Sequence, residues 1–247
     1  MKTPIVAASL ILCALPSAHA DDLTILSAAA VRPALIEVPA LFAQATGHRV
    51  TVSFGNATAI QNKVRTGDPV DLVILPPQQL DGLLSLLGSR TPLGVVRLGI
   101  AARLGSPQPQ IGTPDDFKRA LLAAPSFGMP DPADGSTSST YLVKLLQQLG
   151  IADEMKVKTI LFPDGTKALE AVAQGEIALT VAPITSIHVA AGVALIGPLP
   201  EVIQLKTVYA AALTKKSASS PAANALLQLL TSPDVATLFK QKGIDPP

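Results

Sequence analysis

Residues 23–75 read LTILSAAAVRPALIEVPALFAQATGHRVTVSFGNATAIQNKVRTGDPVDLVIL, and this stretch decides the fold. Short runs that are apolar or alternate in polarity, as strands do, follow one another with helical segments between them. Gly47 and Gly67 end the two helical segments, a common position for glycine at a helix C-terminus. This order predicts parallel strands joined by crossover helices. The predicted strands are 23–26, 50–54 and 70–75, and the predicted helices are 33–46 and 55–66.

The rest of the chain continues the alternation and predicts a second unit of similar size. Natural breaks lie near Ala101 and Thr207, so the last two helices return to the first unit and a cleft can form between two lobes. The expected lobes are 21–100 together with 208–247, and 101–207. The further predicted strands are 95–102, 126–129, 158–162, 177–182, 193–196 and 207–213; the helices are 115–122, 141–149, 166–174, 221–230 and 233–242, with 130–140 a loop.

The first twenty residues, MKTPIVAASLILCALPSAHA, are typical of a secretory signal peptide. Lys2 provides the positive start, residues 5–15 are apolar, and Ala18-His19-Ala20 fits a cleavage site. We therefore expect an exported, periplasmic protein cleaved after Ala20. The mature chain then has 18 basic and 18 acidic residues, and it contains no cysteine.

Composition excludes several classes of function. A chain that is 48% hydrophobic can form a packed core, which excludes a disordered protein. A formal charge of +1, without runs of Lys or Arg, and an aromatic content of 3% speak against nucleic-acid binding. His48 and His188 are isolated in the sequence. We expect no metal site and no cofactor.

Ligands of parallel α/β proteins bind where strands end and helices begin. Four such turns are rich in small or hydroxyl residues, which allow an anion to approach the backbone. Each of these turns can also be interpreted more simply, as a helix cap or a solvated loop. The four turns are 27–32, 55–58, 135–140 and 183–186.

Two features of these turns favour an anion site. The run Ser136-Thr137-Ser138-Ser139-Thr140 offers five consecutive hydroxyls before a helix. Arg32 lies at a helix start, where a cation opposes the helix dipole, so it either points into solvent or holds a carboxylate through its two-pronged guanidinium. The motifs GxSxG, GxGxxG, HExxH and the phosphate-binding P-loop are absent from the sequence.

The ordered set of motifs resembles the periplasmic molybdate-binding protein family, which are type II solute-binding proteins of ABC importers. The resemblance extends from Asp21 to Pro247. It implies two lobes, each a mainly parallel sheet flanked by helices, with two crossover strands and a ligand in the cleft. The motifs that carry it are LSAAA (26–30), Phe42 with Thr46-Gly47, VSFGNAT (52–58), GDPVDLVI (67–74), Asp131-Pro132 with Tyr141, and Gly175-Glu176.

The residues at the implied molybdate site differ from the family pattern. The serine of the first turn falls on Ala30, the serines of the second turn fall on Asn56 and Ala57, and the family's tyrosine falls near Thr207, with Tyr209 two residues on. Losing several donors removes most of the affinity for molybdate. We therefore expect another anion. The predicted ligand-binding residues are Ser27, Ala29, Ala30, Arg32, Asn56, Ala57, Thr58, Ser136, Thr137, Ser138, Ser139, Pro183, Thr185, Thr207 and Tyr209.

Three functions fit this sequence. The first is binding of a small organic carboxylate by a monomer that delivers it to the membrane component of an ABC importer. The second is an isomerase, because aconitate isomerase resembles the same family. Its base is unassigned, and a serine, Tyr209, His188 or a carboxylate in the cleft could serve. The third is binding of molybdate or tungstate.

Overall fold

The structure is a computed structural model that describes residues 20–247. The predicted signal peptide lies outside the described residues, apart from Ala20, and stays a prediction. The strands are β1 (Asp22–Ala28), β2 (Arg49–Gly55), β3 (Leu72–Leu75), β4 (Leu87–Arg103), β5 (Phe127–Pro130), β6 (Thr159–Phe162), β7 (Leu179–Pro183), β8 (Val193–Pro198), β9 (Lys206–Thr214) and β10 (Ile244–Asp245). The helices are α1 (Arg32–Leu35), α2 (Val38–Thr46), α3 (Ala57–Thr66), α4 (Pro77–Asp81), α5 (Pro114–Ala123), α6 (Thr137–Gln148), α7 (Ala152–Lys156), α8 (Gly165–Gln174), α9 (Ile184–Val189), α10 (Pro221–Leu230) and α11 (Pro233–Gln241).

The first lobe is built on the parallel strands β2, β1 and β3, as the sequence predicts. Ser27 of β1 is level with Phe54 of β2 and with Ile74 of β3. The three carboxyl ends therefore lie together, and the turns that follow β1 and β2 are neighbours. The buried core of this lobe includes Ile25 and Phe42, which are fully covered.

The second lobe is built on the parallel strands β6, β5 and β7. Pro130 at the end of β5 is level with Phe162 at the end of β6, so the turns before α6 and α8 are also neighbours. A separate core, which includes Phe117 and Phe127, supports this lobe. The proposed boundaries at residues 100 and 207 stay a prediction.

Two antiparallel strands join the lobes and make the sheets mixed rather than wholly parallel. Residues 87–97 of β4 pair with β9, and residues 98–103 pair with β7 and β8. The short strand β10 pairs with β4, and its Ile244 packs against Gly94, where a Cβ would lie 2.4 Å from the Ile244 side chain. Arg97 forms an ion pair with Asp245 at 2.8 Å.

Three local predictions were wrong, for identifiable reasons. The helix predicted over 33–46 is divided into α1 and α2, since Pro39 has no N–H and its ring blocks the carbonyl four residues earlier. The loop predicted over 130–140 contains the first turn of α6, because the Ser136 side chain caps the helix by accepting from the Ser139 N–H. The turn 183–186 contains the start of α9.

The strand predicted at 95–102 extends from Leu87 to Arg103. Its pairing with β9 shifts register between Leu87 and Arg90 and between Pro92 and Gly94. Such irregularities disturb the alternation of polarity on which strand prediction depends. None of the helices within residues 20–247 combines the length and the apolar character needed to span a bilayer.

Candidate functional site

A cavity of about 830 Å³ lies between the lobes, at the carboxyl ends of their parallel strands. Its floor is formed by the two strands that join the lobes. Val96 and Leu98 of β4 line it, as do Thr207 and Tyr209 of β9. These pairs are two residues apart and therefore share one face of their strands. The cavity is large enough for a small organic molecule.

The wall of the first lobe contains a cation. Arg32 begins α1 and lines the cavity, and its guanidinium carbon lies 4.6 Å from the centre of the Phe54 ring. This distance is typical of a cation–π contact. None of the ion pairs found within residues 20–247 includes Arg32. Its two-pronged donor set is available to an anion in the cleft.

Small residues form the rest of that wall. Ala29 and Ala30 follow β1, and Asn56 and Ala57 begin α3, all beside the cavity. The Asn56 side-chain oxygen accepts a 2.8 Å hydrogen bond from the Ala59 N–H, so it caps the helix. The positive end of the α3 dipole faces the cleft, with little side chain in front of it.

The wall of the second lobe presents the start of α6. Ser136, Thr137 and Ser138 line the cavity. Ser136 Oγ accepts from the Ser139 N–H at 3.2 Å and lies 2.6 Å from Ser139 Oγ. These serines hold the first turn of the helix together, while the neighbouring hydroxyls face the cleft.

The start of α8 also lines the cavity, and the sequence analysis missed it. Asp164 caps the helix by accepting from the N–H groups of Thr166 and Lys167 at 2.8 and 3.0 Å. Gly165, Thr166 and Glu170 lie beside the cavity with it. The signal was present, because an Asp-Gly pair follows a predicted strand and precedes a predicted helix, as in the other turns.

Four predicted residues lie outside the cavity lining. Ser27 is fully buried in β1, and its hydroxyl donates to the Ala28 carbonyl at 3.2 Å. Ser139 is buried in α6, and Thr58 is exposed beside Gly135. Thr185 is fully buried and donates a 2.6 Å hydrogen bond to the Ala30 carbonyl. Pro183, Thr207 and Tyr209 lie in the lining, and their contact with a ligand stays a prediction.

The candidate bases differ in position. His188 is exposed on α9 beside Gly243 and is not among the cavity residues, whereas Tyr209 lines the cavity and is 5% exposed. Burial raises the pKa of Tyr209, so its phenol keeps its proton and is a poor base. The carboxylates beside the cleft belong to Asp164 and Glu170. His48 accepts a hydrogen bond from the Asp21 N–H at 3.0 Å.

Comparison with known proteins agrees with this arrangement. The family model for bacterial extracellular solute-binding proteins matches residues 23–245. The chain is similar to an aconitate isomerase from Pseudomonas sp., with 30% identity over 91% of this chain and 87% of that protein. It is 24% identical to the molybdate-binding protein ModA of Escherichia coli (strain K12), over 92% of this chain and 91% of that protein.

Solved structures of molybdate-binding proteins also have a similar fold. The periplasmic molybdate-binding protein of Azotobacter vinelandii superposes with a TM-score of 0.75 at 19% identity, covering 91% of this chain and 99% of that one. The two-lobed type II fold implied by the sequence is thereby confirmed. The chain belongs to the bacterial extracellular solute-binding proteins, in the group that resembles molybdate-binding proteins.

Proposed function

We propose that this protein binds a small organic anion with carboxylate groups in the cleft between its lobes. It would do so in the periplasm and deliver the anion to the membrane component of an ABC importer. The observation that carries the proposal is Arg32, a cavity-lining guanidinium outside the ion pairs found within residues 20–247. A guanidinium matches the two oxygens of a carboxylate.

The floor of the cleft supports a ligand with a carbon skeleton. Val96 and Leu98 provide an apolar surface there, and Leu205 also lines the cavity. A tetrahedral oxyanion has no apolar part to cover such a surface. An organic acid has one, and burying it contributes about 25 cal/mol for each Å² removed from water.

The walls supply neutral donors and helix dipoles for the remaining oxygens of the ligand. The starts of α3, α6 and α8 all face the cleft, and free backbone N–H groups at a helix start favour anions. Ala30 and Ala57 bear no hydroxyl, and the Ala30 carbonyl already accepts from Thr185. These positions therefore offer a tetrahedral oxyanion few side-chain donors.

The test is a thermal-shift panel on protein stripped of bound ligand by unfolding and refolding. The panel contains molybdate, tungstate, sulfate, phosphate, succinate, citrate and trans-aconitate, and calorimetry follows each anion that raises the melting temperature. We expect citrate, trans-aconitate or succinate to give the largest shift. Sub-micromolar binding of molybdate, with no shift from any carboxylate, would contradict the proposal.

An isomerase is the second candidate. The identity with aconitate isomerase, 30%, is higher than that with the molybdate-binding protein ModA, 24%. Moving a double bond in a tricarboxylate requires a base that removes a proton from one carbon and an acid that returns one to another. Asp164 and Glu170 are carboxylates beside the cleft that could act as the base. Proton NMR of cis- and trans-aconitate at high protein concentration tests this candidate, and an absence of interconversion excludes it.

A further inference from the structure

The cavity extends beyond the ends of the strands, along one face of α8. The residues of α8 that line it are 165–166, 169–170 and 173–174, and these pairs are separated by about one helical turn. At 1.5 Å for each residue, the stretch from 165 to 174 is about 14 Å long. A tetrahedral oxyanion bound at the start of α8 would leave most of this length unfilled.

Helix α9 forms a second wall of this extension. Ser186, Val189 and Ala190 line the cavity at intervals of three and one residues, so they share the side of α9 and of its last turn that faces α8. Leu169 of α8 and Ile187 of α9 belong to one apolar cluster. The two helices therefore lie side by side with the extension between them.

We name this part of the cavity the α8–α9 groove, after the lining residues within 169–174 and 186–191. At its far end α8 approaches the turn that follows α9, since a Cβ added to Gly192 would lie 3.2 Å from the Ala173 Cβ. The side chains there are small, which leaves space in the groove. Its other end opens into the cleft, because the same cavity contains both.

The groove offers an anion much less than the cleft does. The free backbone N–H groups of α8 are confined to its first turn, because the later ones bond to carbonyls within the helix. Among the described residues that line the cavity, Arg32 is the only Lys or Arg, and it belongs to the first lobe. The Glu170 carboxylate lies along the groove. Its partner Lys167, and Arg103 beside Gly175, are outside the lining.

We propose that the α8–α9 groove binds an uncharged, apolar tail of the ligand, so that the substrate class is a carboxylate with an alkyl chain. The inference rests on the proposed function, in which the carboxylates occupy the cleft. Leu169, Val189 and Ala190 provide apolar surface to the tail. The Val189 side chain is 58% exposed without ligand, and a tail would cover part of it.

The occupant follows from the continuity of the groove with the cleft. A ligand held by its carboxylates at Arg32 and at the helix starts has the groove as its extension, and a hydrocarbon chain needs no hydrogen-bond partner there. Each methylene that leaves water strengthens binding by about 4-fold at most. A second carboxylate in the groove would lose its hydration and would lie near Glu170 without a lining cation.

The test compares three ligands that differ only in the tail. Succinate has none, butylsuccinate has an uncharged chain, and carboxybutylsuccinate carries a carboxylate at the end of the same chain. Calorimetry on ligand-stripped protein measures the affinity for each. We expect butylsuccinate to bind at least about 10-fold more tightly than succinate. Carboxybutylsuccinate should lose most of that gain.

Variants of the groove locate the tail. Ala173→Leu fills the groove and should lower the ratio of butylsuccinate affinity to succinate affinity by about 10-fold. The matched control is Ala43→Leu, an exposed change on α2 outside the cavity lining, which should leave this ratio within about 2-fold of the parent value. Val189→Ala removes apolar surface at an exposed position and should lower the ratio by about 3-fold.

The outcomes separate this inference from the proposed function. If the parent binds none of these ligands, nor citrate or trans-aconitate, the proposed function fails and the inference with it. If the parent binds a carboxylate but gains no affinity from the butyl chain, the inference alone is overturned. Tighter binding of carboxybutylsuccinate than of butylsuccinate would overturn the uncharged tail. An unchanged affinity ratio in both Ala173→Leu and Val189→Ala would overturn the location in the groove.

Discussion

The hydroxyl of Thr185 donates a 2.6 Å hydrogen bond to the carbonyl oxygen of Ala30, a residue 155 positions earlier in the chain. Thr185 belongs to α9 of the second lobe, and Ala30 belongs to the turn after β1 of the first. Ala30 lines the cleft, and Thr185 is fully buried. A residue expected to contact the ligand thus joins the two lobes.

Thr185→Val removes this bond while nearly conserving shape. We expect a loss of about 1–3 kcal/mol in the free energy of unfolding, because the Ala30 carbonyl loses its donor. The matched control is Thr180→Val, since Thr180 is also buried and donates to the Gly128 carbonyl at 2.7 Å within the second lobe. Chemical denaturation should show similar losses in both variants. Small-angle scattering should show a larger radius of gyration for ligand-free Thr185→Val alone, and equal radii would contradict a role in joining the lobes.

Gly135→Ala tests a close approach between the turn before α6 and helix α3. Gly135 has a φ of +72°, and a Cβ there would lie 2.6 Å from the Thr58 hydroxyl of the other lobe. The left-handed backbone alone disfavours alanine by about 1–2 kcal/mol. Gly150→Ala is the control, because Gly150 has a φ of +65° and a Cβ added there would have no atom within 4 Å.

Both glycine variants should have a lower free energy of unfolding, because alanine is strained in the left-handed backbone conformation. Only Gly135→Ala should also bind the preferred anion more weakly. Its side chain prevents the turn before α6 from reaching α3. Calorimetry measures the difference between the two variants. Equal affinities would show that this contact is unnecessary for binding.

Arg32→Gln tests the cation on the wall. Removing a charged hydrogen bond to a carboxylate should weaken binding by about 10- to 100-fold. Arg32→Lys should also bind more weakly than the parent, since lysine keeps the charge but loses the two-pronged geometry and the stacking on Phe54. The control is Arg49→Gln, because Arg49 pairs with Asp22 at the outer edge of the sheet. A citrate affinity that Arg32→Gln leaves unchanged would exclude Arg32 from the site.

The capping box of α5 makes a prediction about pH. A hydrogen bond from the Thr113 hydroxyl, aided by Arg119, holds the pKa of Asp116 below its usual value. A lowered pKa in the folded state means that the carboxylate stabilises the protein above the unfolded-state pKa, and that this contribution is lost as pH falls through the folded-state pKa. Asp116→Asn should therefore melt below the parent at neutral pH and equal it in strong acid. Asp115→Asn, an exposed change in the same turn, should show a smaller difference, and a constant difference for Asp116→Asn at all pH values would refute the assignment.

Features of the fold and the site that depend on neighbouring residues could be predicted from the sequence, whereas contacts between residues far apart in the chain could not. The parallel order around β1 and the sites before α3 and α6 could be predicted, because strand ends and helix starts have local signals. The bond between Thr185 and Ala30 could not, because nothing local connects residues so distant in sequence. Tyr209 lies in the cavity lining, but its burial depends on neighbours that are distant in sequence.

The short strand β10 has a practical consequence. It fixes residues 244 and 245 to β4, beside the segment that passes from one lobe to the other. The single cysteine of the sequence is Cys13, so a thiol introduced at the exposed Pro246 would be the only one in residues 20–247. A dye attached there would report from the joining strand, and opening and closing of the cleft would become an optical signal of ligand capture.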